Sequence, residues 1–285
     1  MIQLPTEAEP VRVIHGDALA VLTELPTAAF DAVITDPPYS SGGFTRSDRT
    51  QAPATKYVQS GQDKEWVTFS GDNRDARSWA YWCYMWLSEC SRVLKPGGYV
   101  LLFIDWRQLP TMTDALQAGG FVWRGVVPWD KGLGSRAPHK GYFRHQCEYV
   151  VWGTNGPCEV PPVDDPRGGP WPGCFQVPVV QADKFHMTGK PTALMRQLVR
   201  VAPPGGLILD PFAGSFTTAI AAAHEGRRCV AVEKEGPYVE IGRKRVDQAL
   251  DRAPGSLLCD PQQGATAGLF DGLDADDPAA DPEAA

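Results

Sequence analysis

The sequence predicts an α/β fold built on a doubly wound, mostly parallel sheet, and three observations carry that prediction. Short runs rich in Val, Ile and Leu alternate along the chain with longer stretches of helical periodicity, the pattern that lays helices on the faces of a parallel sheet. Two of these runs, at 29–35 and 207–210, lead into the Asp-Pro steps Asp36-Pro37 and Asp210-Pro211. Open sheets of this class build their ligand crevices at such strand ends. After the second run, the small-residue loop Ala213-Gly214-Ser215 opens onto an Ala-rich helix.

The elements follow in order. A strand is expected at 11–15, a helix at 18–25 and a strand at 29–35, whose nearly unbroken apolar run suits burial on both faces. The next helix, 77–93, crowds together Trp79, Tyr81, Trp82, Tyr84 and Trp86, which read as core and surface packing. Cys83 and Cys90 share one of its faces as small apolar core residues. The turn Lys95-Pro96-Gly97-Gly98 is a helix-stop signature that launches a strand at 98–104. A helix at 108–118 and strands at 121–127 and 148–152 come next. A helix at 192–201 carries Leu194, Leu198 and Val201 at helical spacing. The chain closes with a strand at 207–210, a helix at 217–224, a strand at 229–232 and a helix at 237–250, giving seven strands in all.

Two stretches break the alternation. Residues 40–75 are long, polar and rich in Gly, Ser and Thr, and residues 154–184 are rich in Pro and Gly with few charges. Loops of that length in a compact domain are commonly lids or binding segments. One domain is therefore expected over 1–250, with both stretches as insertions. From Asp251 onward eight acids face only Arg252, and the Ala, Gly, Pro and Asp content of 251–285 predicts a disordered acidic tail. The net charge of −7 resides in that tail, so the remainder is near neutral.

No stretch is long and apolar enough to cross a membrane, and no basic patch followed by an apolar core announces a secretory signal. Seven scattered cysteines with no Cys-x-x-Cys pair suit reduced thiols in the cytoplasm and give no reason to expect a metal. The sequence does not specify an oligomeric state; a homodimer is compatible with it.

The most informative residues are Asp36-Pro37-Pro38-Tyr39, a carboxylate, a rigid turn and an aromatic face at the end of a buried strand. The prolines fix φ and remove two N–H donors, leaving carbonyls as acceptors. That suits an extruded planar group with an –NH2, although on these four residues alone a tight turn with a solvated Asp fits equally. The downstream loop Asp210-Pro211-Phe212-Ala213-Gly214-Ser215-Phe216-Thr217 lets backbone approach a ligand at a helix N-terminus. It lacks the Gly-Lys-Ser/Thr ending of a phosphate-cradling loop and the full Gly-x-Gly-x-x-Gly pattern. Glu233, at the next strand end, stands where nucleotide-binding folds place a ribose-hydroxyl acceptor. Together they describe a site for a nucleoside without a polyphosphate.

On these blocks the chain resembles the β-type, circularly permuted amino-group DNA methyltransferases of the N4-cytosine/N6-adenine family. There an Asp-Pro-Pro-Tyr block precedes an Asp-Pro-Phe-x-Gly-Ser-Gly-Thr-Thr block, and the resemblance covers nearly all of 11–250. It implies the Rossmann-like S-adenosylmethionine-dependent methyltransferase fold with an antiparallel hairpin at one edge, placed at 121–152. It implies S-adenosylmethionine as cofactor, with Asp210, Pro211, Phe212, Ala213, Gly214, Ser215 and Thr217 along it, Glu233 on the ribose and Asp17 on the adenine amine. His186-Met187-Thr188-Gly189-Lys190-Pro191 resembles the family's His-Pro-Thr-Gln-Lys-Pro segment, so His186, Thr188, Lys190 and Pro191 are expected at the methionine end. Phe216 departs from the pattern, which usually has Gly there; its side chain either alters the pocket or points away.

The implied partner is double-stranded DNA and the implied location cytoplasmic, on the nucleoid, with DNA methylation of the kind found in restriction-modification systems. A basic, aromatic segment carrying Lys131, Arg136, Lys140 and Arg144 among Tyr142 and Phe143 suits phosphate contact and stacking on an unpaired base, although by itself it also fits a solvated surface turn. Arg46 and Arg49, with Lys56 and Lys64, are candidates for the same role. The expected catalytic residues are Asp36, Pro37, Pro38 and Tyr39, acting on the exocyclic amine of a flipped base. An Asp in the first position goes more often with adenine N6, making cytosine N4 the alternative. A scaffold that binds DNA without catalysis, and methylation of RNA or a protein glutamine, are further readings.

Overall fold

The computed structural model describes residues 2–40, 74–133, 135, 139–158, 161–162, 164–179 and 189–251. Arg46, Arg49, Lys56, Lys64, Arg136, His186, Thr188 and the tail from 252 lie outside the described residues. In chain order the elements are β1 (Val11–His15), α1 (Ala18–Glu24), β2 (Phe30–Thr35), α2 (Ala76–Val93), β3 (Leu94–Ile104), α3 (Leu109–Ala118), β4 (Val122–Asp130), β5 (Cys147–Thr154), β6 (Phe175–Gln176), α4 (Thr192–Leu198), β7 (Leu207–Asp210), α5 (Thr217–His224), β8 (Arg228–Glu233) and α6 (Gly236–Asp251). A 3₁₀ turn, Val199–Val201, continues α4.

The sheet order is β1-β8-β7-β2-β3-β5-β4-β6. Only β5 runs against its neighbours, pairing antiparallel with β3 and β4, while every other pair is parallel. The sheet thus has eight strands rather than seven. The additional strand, β6, pairs Phe175 with Trp129, and it buries Phe175 beside Val177. Two paired residues in a Pro/Gly-rich stretch are too few to show a period of two. They also cover the β4–β5 pair, which sits one strand in from the edge.

The end of α2 differs from its expected form. Asp75 caps the start, accepting from the N–H groups of Arg77 and Ser78 at 3.0 and 3.1 Å. At the other end Leu94 is already extended and donates to the Cys90 carbonyl, so no glycine cap stops the helix. Leu94 pairs with Phe30, the next residues bulge, and the register resumes at Tyr99 opposite Ala32. Gly97 supplies the positive φ of 75° that this bulge needs.

Both faces of the sheet are covered, which explains the unbroken apolar run of β2. Ala32 and Ile34 enter a core with α4 and α5, whereas Val33 enters the other with Trp79, Trp86 and Leu87 of α2 and Met112 of α3. Cys83 and Cys90 are buried in that second core, and burial pushes both thiols well up. Among the described residues no helix is long and apolar enough to cross a membrane.

Candidate active site

The parallel strands all end on one edge of the sheet, and that edge collects carboxylates. Asp17 follows β1, Glu233 ends β8, Asp210 ends β7, Asp36 follows β2 and Asp105 follows β3. Reversal of β5 brings its first residues, including Glu148, to the same edge, where Tyr149 pairs with Ile104.

The Asp36 turn is pinned from both sides. Pro37 is buried, and the Pro38 carbonyl accepts from the Trp79 indole at 2.7 Å, tying the turn to α2. The Tyr39 hydroxyl donates to Asp36 Oδ1 at 2.5 Å, and Lys190 Nζ donates to Oδ2 at 2.5 Å. Lys190 also lies 3.3 Å from Glu148 Oε2, and Lys131 Nζ donates to Glu148 Oε1 at 3.0 Å. The Lys190 ammonium stands 5.4 and 5.1 Å from the ring centres of Tyr39 and Phe103. Tyr39, Asp36, Lys190, Glu148 and Lys131 therefore form one network of two carboxylates and two ammonium groups.

Burial decides the titration of this network where charge does not. Desolvation raises Asp36 above the ordinary carboxylate range, only partly offset by Lys190 and Tyr39. Burial, then the Asp36 and Glu148 charges, drive the Tyr39 phenol well up. Burial works on Glu148 too, but Lys190 and Lys131 overcome it and hold that carboxyl below its usual value. Lys190 is raised: desolvation favours the neutral amine, and the two carboxylates outweigh it. The Lys190 side chain is 6% exposed but Asp36 keeps 25%, so the carboxylate is fixed yet reachable.

The ends of β7 and β8 treat their acids differently. Asp210, 2% exposed, accepts from the Thr35 hydroxyl at 2.6 Å and the Phe212 N–H at 3.2 Å, and burial pushes it up to about 6. Glu233 accepts from the N–H groups of Gly214 and Glu235, both at 2.8 Å, and burial raises it as well. Among the described residues neither acid has a cationic partner within ion-pair distance. Phe212 packs its ring 5.2 Å from those of Trp82 and Trp86. Ala213 donates to Val232 at 2.9 Å, and Arg245 donates to the Ser215 carbonyl while lying 3.3 Å from Thr217 Oγ1. Pro211 is buried beside Asp210. Asp17 caps α1 through the Leu19 N–H at 3.0 Å and meets Lys234 at 3.2 Å, its side chain 47% exposed.

Phe216 resolves its own departure from the family pattern. Its φ of 65° is the left-handed conformation that glycine adopts without strain, at a cost of roughly 1–2 kcal/mol for other residues. The side chain is fully buried, and a Cβ on Gly242 of α6 would stand 1.6 Å from its ring. Burying a Phe is worth roughly 1.5–3 kcal/mol, enough to offset the strain, and Gly242 makes the room.

Around this edge lies the aromatic and basic segment between β4 and β5. Lys140 and Arg144 are exposed, Arg144 donating to the Ser135 carbonyl at 3.0 Å, and Phe143 is 97% exposed. Lys131, expected on DNA, is instead turned onto Glu148 with its side chain 17% exposed. Lys190, expected at the cofactor, holds Asp36, while Pro191 caps α4 just behind it. Sequence reasoning missed Glu148, Thr35, Trp79 and the exposed Trp106, whose indole donates to His145 at 3.3 Å beneath the Arg107 guanidinium. An acid opening a strand directly after a basic loop was the available signal for Glu148.

A mixed sheet with an Asp-Pro-Pro-Tyr turn and an Asp-Pro-Phe-Ala-Gly loop on adjacent strands, joined by the Thr35–Asp210 bond, defines a nucleic-acid methylase architecture. The chain belongs to the DNA methylase family of N6/N4 methyltransferases, whose model matches residues 30–166 and 162–244. It is 30% identical over 243 residues to the methylase YubD of Escherichia coli, covering 85% of this chain and 92% of that one. The fold is shared with a DNA modification methylase of Thermus thermophilus solved with S-adenosyl-L-methionine (TM-score 0.61, 21% identity, 86% of this chain and 97% of that one). It is shared also with the cytosine-N4-specific PvuII DNA methyltransferase (TM-score 0.62, 17% identity, 86% and 92%).

Proposed function

We propose that this protein is an S-adenosylmethionine-dependent DNA methyltransferase acting at a specific sequence on the exocyclic amine of a flipped base, adenine N6 in the first instance. The observation that carries the reading is the Asp36 carboxylate, held between Tyr39 and Lys190 yet partly open, beside strand ends whose acids Asp210 and Glu233 have no cationic partner among the described residues. Acids raised by burial and satisfied only by neutral donors suit a ligand that brings positive charge. S-adenosylmethionine, when bound, supplies a sulfonium methyl and an α-ammonium. Asp210, Pro211, Phe212, Ala213, Gly214, Ser215 and Thr217 would border it, with Glu233 at the ribose, Asp17 at the adenine, and His186, Thr188 and Pro191 near the methionine end.

An aromatic amine is a weak nucleophile because its lone pair is delocalised into the ring. Hydrogen bonds from the –NH2 to Asp36 and to the Pro37 carbonyl localise that pair on nitrogen. A carboxylate offers about four acceptor positions, so Asp36 can accept the amine while keeping Lys190. Tyr39 gives a stacking wall, and turning the base out of the duplex costs a few kcal/mol. Asp36 need not be a strong base, because the proton leaves after nitrogen becomes positive.

Lys140 and Arg144 would meet phosphates and Phe143 an unstacked base, while 40–75 and 154–184 would supply target recognition within a methyltransferase domain spanning 1–250. The protein would then act on the nucleoid in the cytoplasm. Nucleoside mass spectrometry of DNA incubated with the protein and S-adenosylmethionine tests this reading. N6-methyladenine is expected; N4-methylcytosine alone would replace the base assignment, and no methylated nucleoside would overturn the activity.

A further inference from the structure

We propose that Lys190 is a positioning residue that fixes Asp36 as the charged acceptor for the target amine, an inference that rests on the catalytic reading of Asp36. The residue arrives from a distant part of the chain, just ahead of α4. It places its ammonium 2.5 Å from Asp36 Oδ2 and 3.3 Å from Glu148 Oε2, against the faces of Tyr39 and Phe103. The side chain is 6% exposed, so Lys190 offers little surface to DNA phosphates. What it does reach is the one carboxylate that the chemistry needs ionised.

The charged groups facing Asp36 come from several elements, and most of them oppose its ionisation. Asp210 of β7 and Glu148 of β5 are negative neighbours, and Asp105 at the end of β3 adds negative charge around Tyr39. Tyr39 donates one hydrogen bond, and Lys131 neutralises Glu148 from the far side. Among the described residues, Lys190 is the cation that touches Asp36 itself. Without it, two neighbouring buried carboxyls would share the edge, and one would retain a proton. A protonated Asp36 would donate where it must accept, and the amine would lose its partner. Lys190 engages Oδ2 and the Tyr39 hydroxyl Oδ1, which fixes the plane of the carboxylate and leaves its remaining lone-pair positions for the incoming amine.

The test measures Asp36 directly and catalysis separately. The ¹³C carboxyl resonance of Asp36, assigned through Asp36→Asn, is titrated in the purified full-length protein without cofactor or DNA. In Lys190→Met its midpoint should rise by about one pH unit or more, tenfold in proton affinity, whereas Lys190→Arg should stay near wild type. Glu148→Gln keeps the lysine and removes a negative neighbour, so its midpoint should fall. In methyl-transfer assays the acid limb of kcat should move to higher pH in Lys190→Met, with KM for S-adenosylmethionine nearly unchanged. An unshifted Asp36 titration in folded Lys190→Met, or a raised KM for S-adenosylmethionine with an unmoved acid limb, would overturn the inference and return Lys190 to the cofactor. Should wild-type protein methylate no DNA, the catalytic reading fails, while the carboxyl titration still decides whether Lys190 sets the charge of Asp36.

Discussion

Two pairs of acids stand on the same sheet edge and are treated in opposite ways. Asp36 and Glu148 are threaded between two lysines, so their negative charge is balanced within the protein. Asp210 is buried and Glu233 partly so, but among the described residues they receive only hydroxyl and backbone N–H donors, and burial leaves both above their ordinary range. The balanced pair has no electrostatic need for a charged ligand and suits a neutral amine. The other pair is short of positive charge and suits a cation. On the proposed reading, carboxylates along one sheet edge would sort two ligands of different charge.

The sharpest way to break this contrast is Asp36→Asn, which removes the charge, replaces one acceptor oxygen by an NH2 donor and leaves Lys190 facing an amide. Methyl incorporation should drop on the order of 10²–10³-fold in kcat, the scale of losing one preorganised hydrogen-bond partner to developing charge. Calorimetric affinity for S-adenosylmethionine should change little. A comparable loss of cofactor affinity would show that the two pairs are not separate.

Asp210→Asn probes the other pair and should act with opposite signs on stability and binding. The folded value of about 6 lies above the ordinary 3.8, so burial opposes the ionised form. Below pH 3.8 folded and unfolded chains both hold the proton and nothing is lost. The penalty grows between 3.8 and 6 and is complete above pH 6, where it amounts to at most about 3 kcal/mol. Thermal melts should therefore find the Asn variant more stable than wild type above about pH 6, the difference closing towards about pH 4, while cofactor binding weakens.

Trp79→Phe removes the donor to the Pro38 carbonyl without emptying the core. A loss of about 1 kcal/mol in urea unfolding is expected for a partly buried acceptor that loses its donor, with kcat reduced more than DNA affinity. The smallest effect belongs to the exposed arm outside both pairs. Lys140→Ala should lower DNA affinity with the salt dependence reduced by about 0.9 in slope, and with the preference for target over non-target sequences unchanged.

How much of this was legible depends on the range of the interaction. Strands and helices with long periodic runs appear where the sequence places them, and so do both motif turns, because each is written in consecutive residues. The strand β6 was not legible, since two paired residues carry no periodicity. The Leu94 ending of α2 was hidden by a Lys-Pro-Gly-Gly turn that belongs to a bulge. Glu148 and the partner of Lys190 escaped because their meaning lies in pairing across the fold: Lys190 stands 154 positions from Asp36, and only sheet order brings them together. Phe216 read as an anomaly until Gly242 showed where its ring goes.

The reversed direction of β5 turns the segment before it into a clasped loop. The segment leaving β4 at Asp130 returns to β5 at Cys147 on the same edge, opposite the residue it left. Its two roots, Lys131 and Glu148, are bonded to each other. A loop clasped at its base by an ion pair passes little of its own motion to the strands that carry it, so Glu148 and, through Lys190, Asp36 keep their setting. On the proposed reading, the DNA-facing arm and the Asp36 carboxylate would then be mechanically separate parts of one sheet edge.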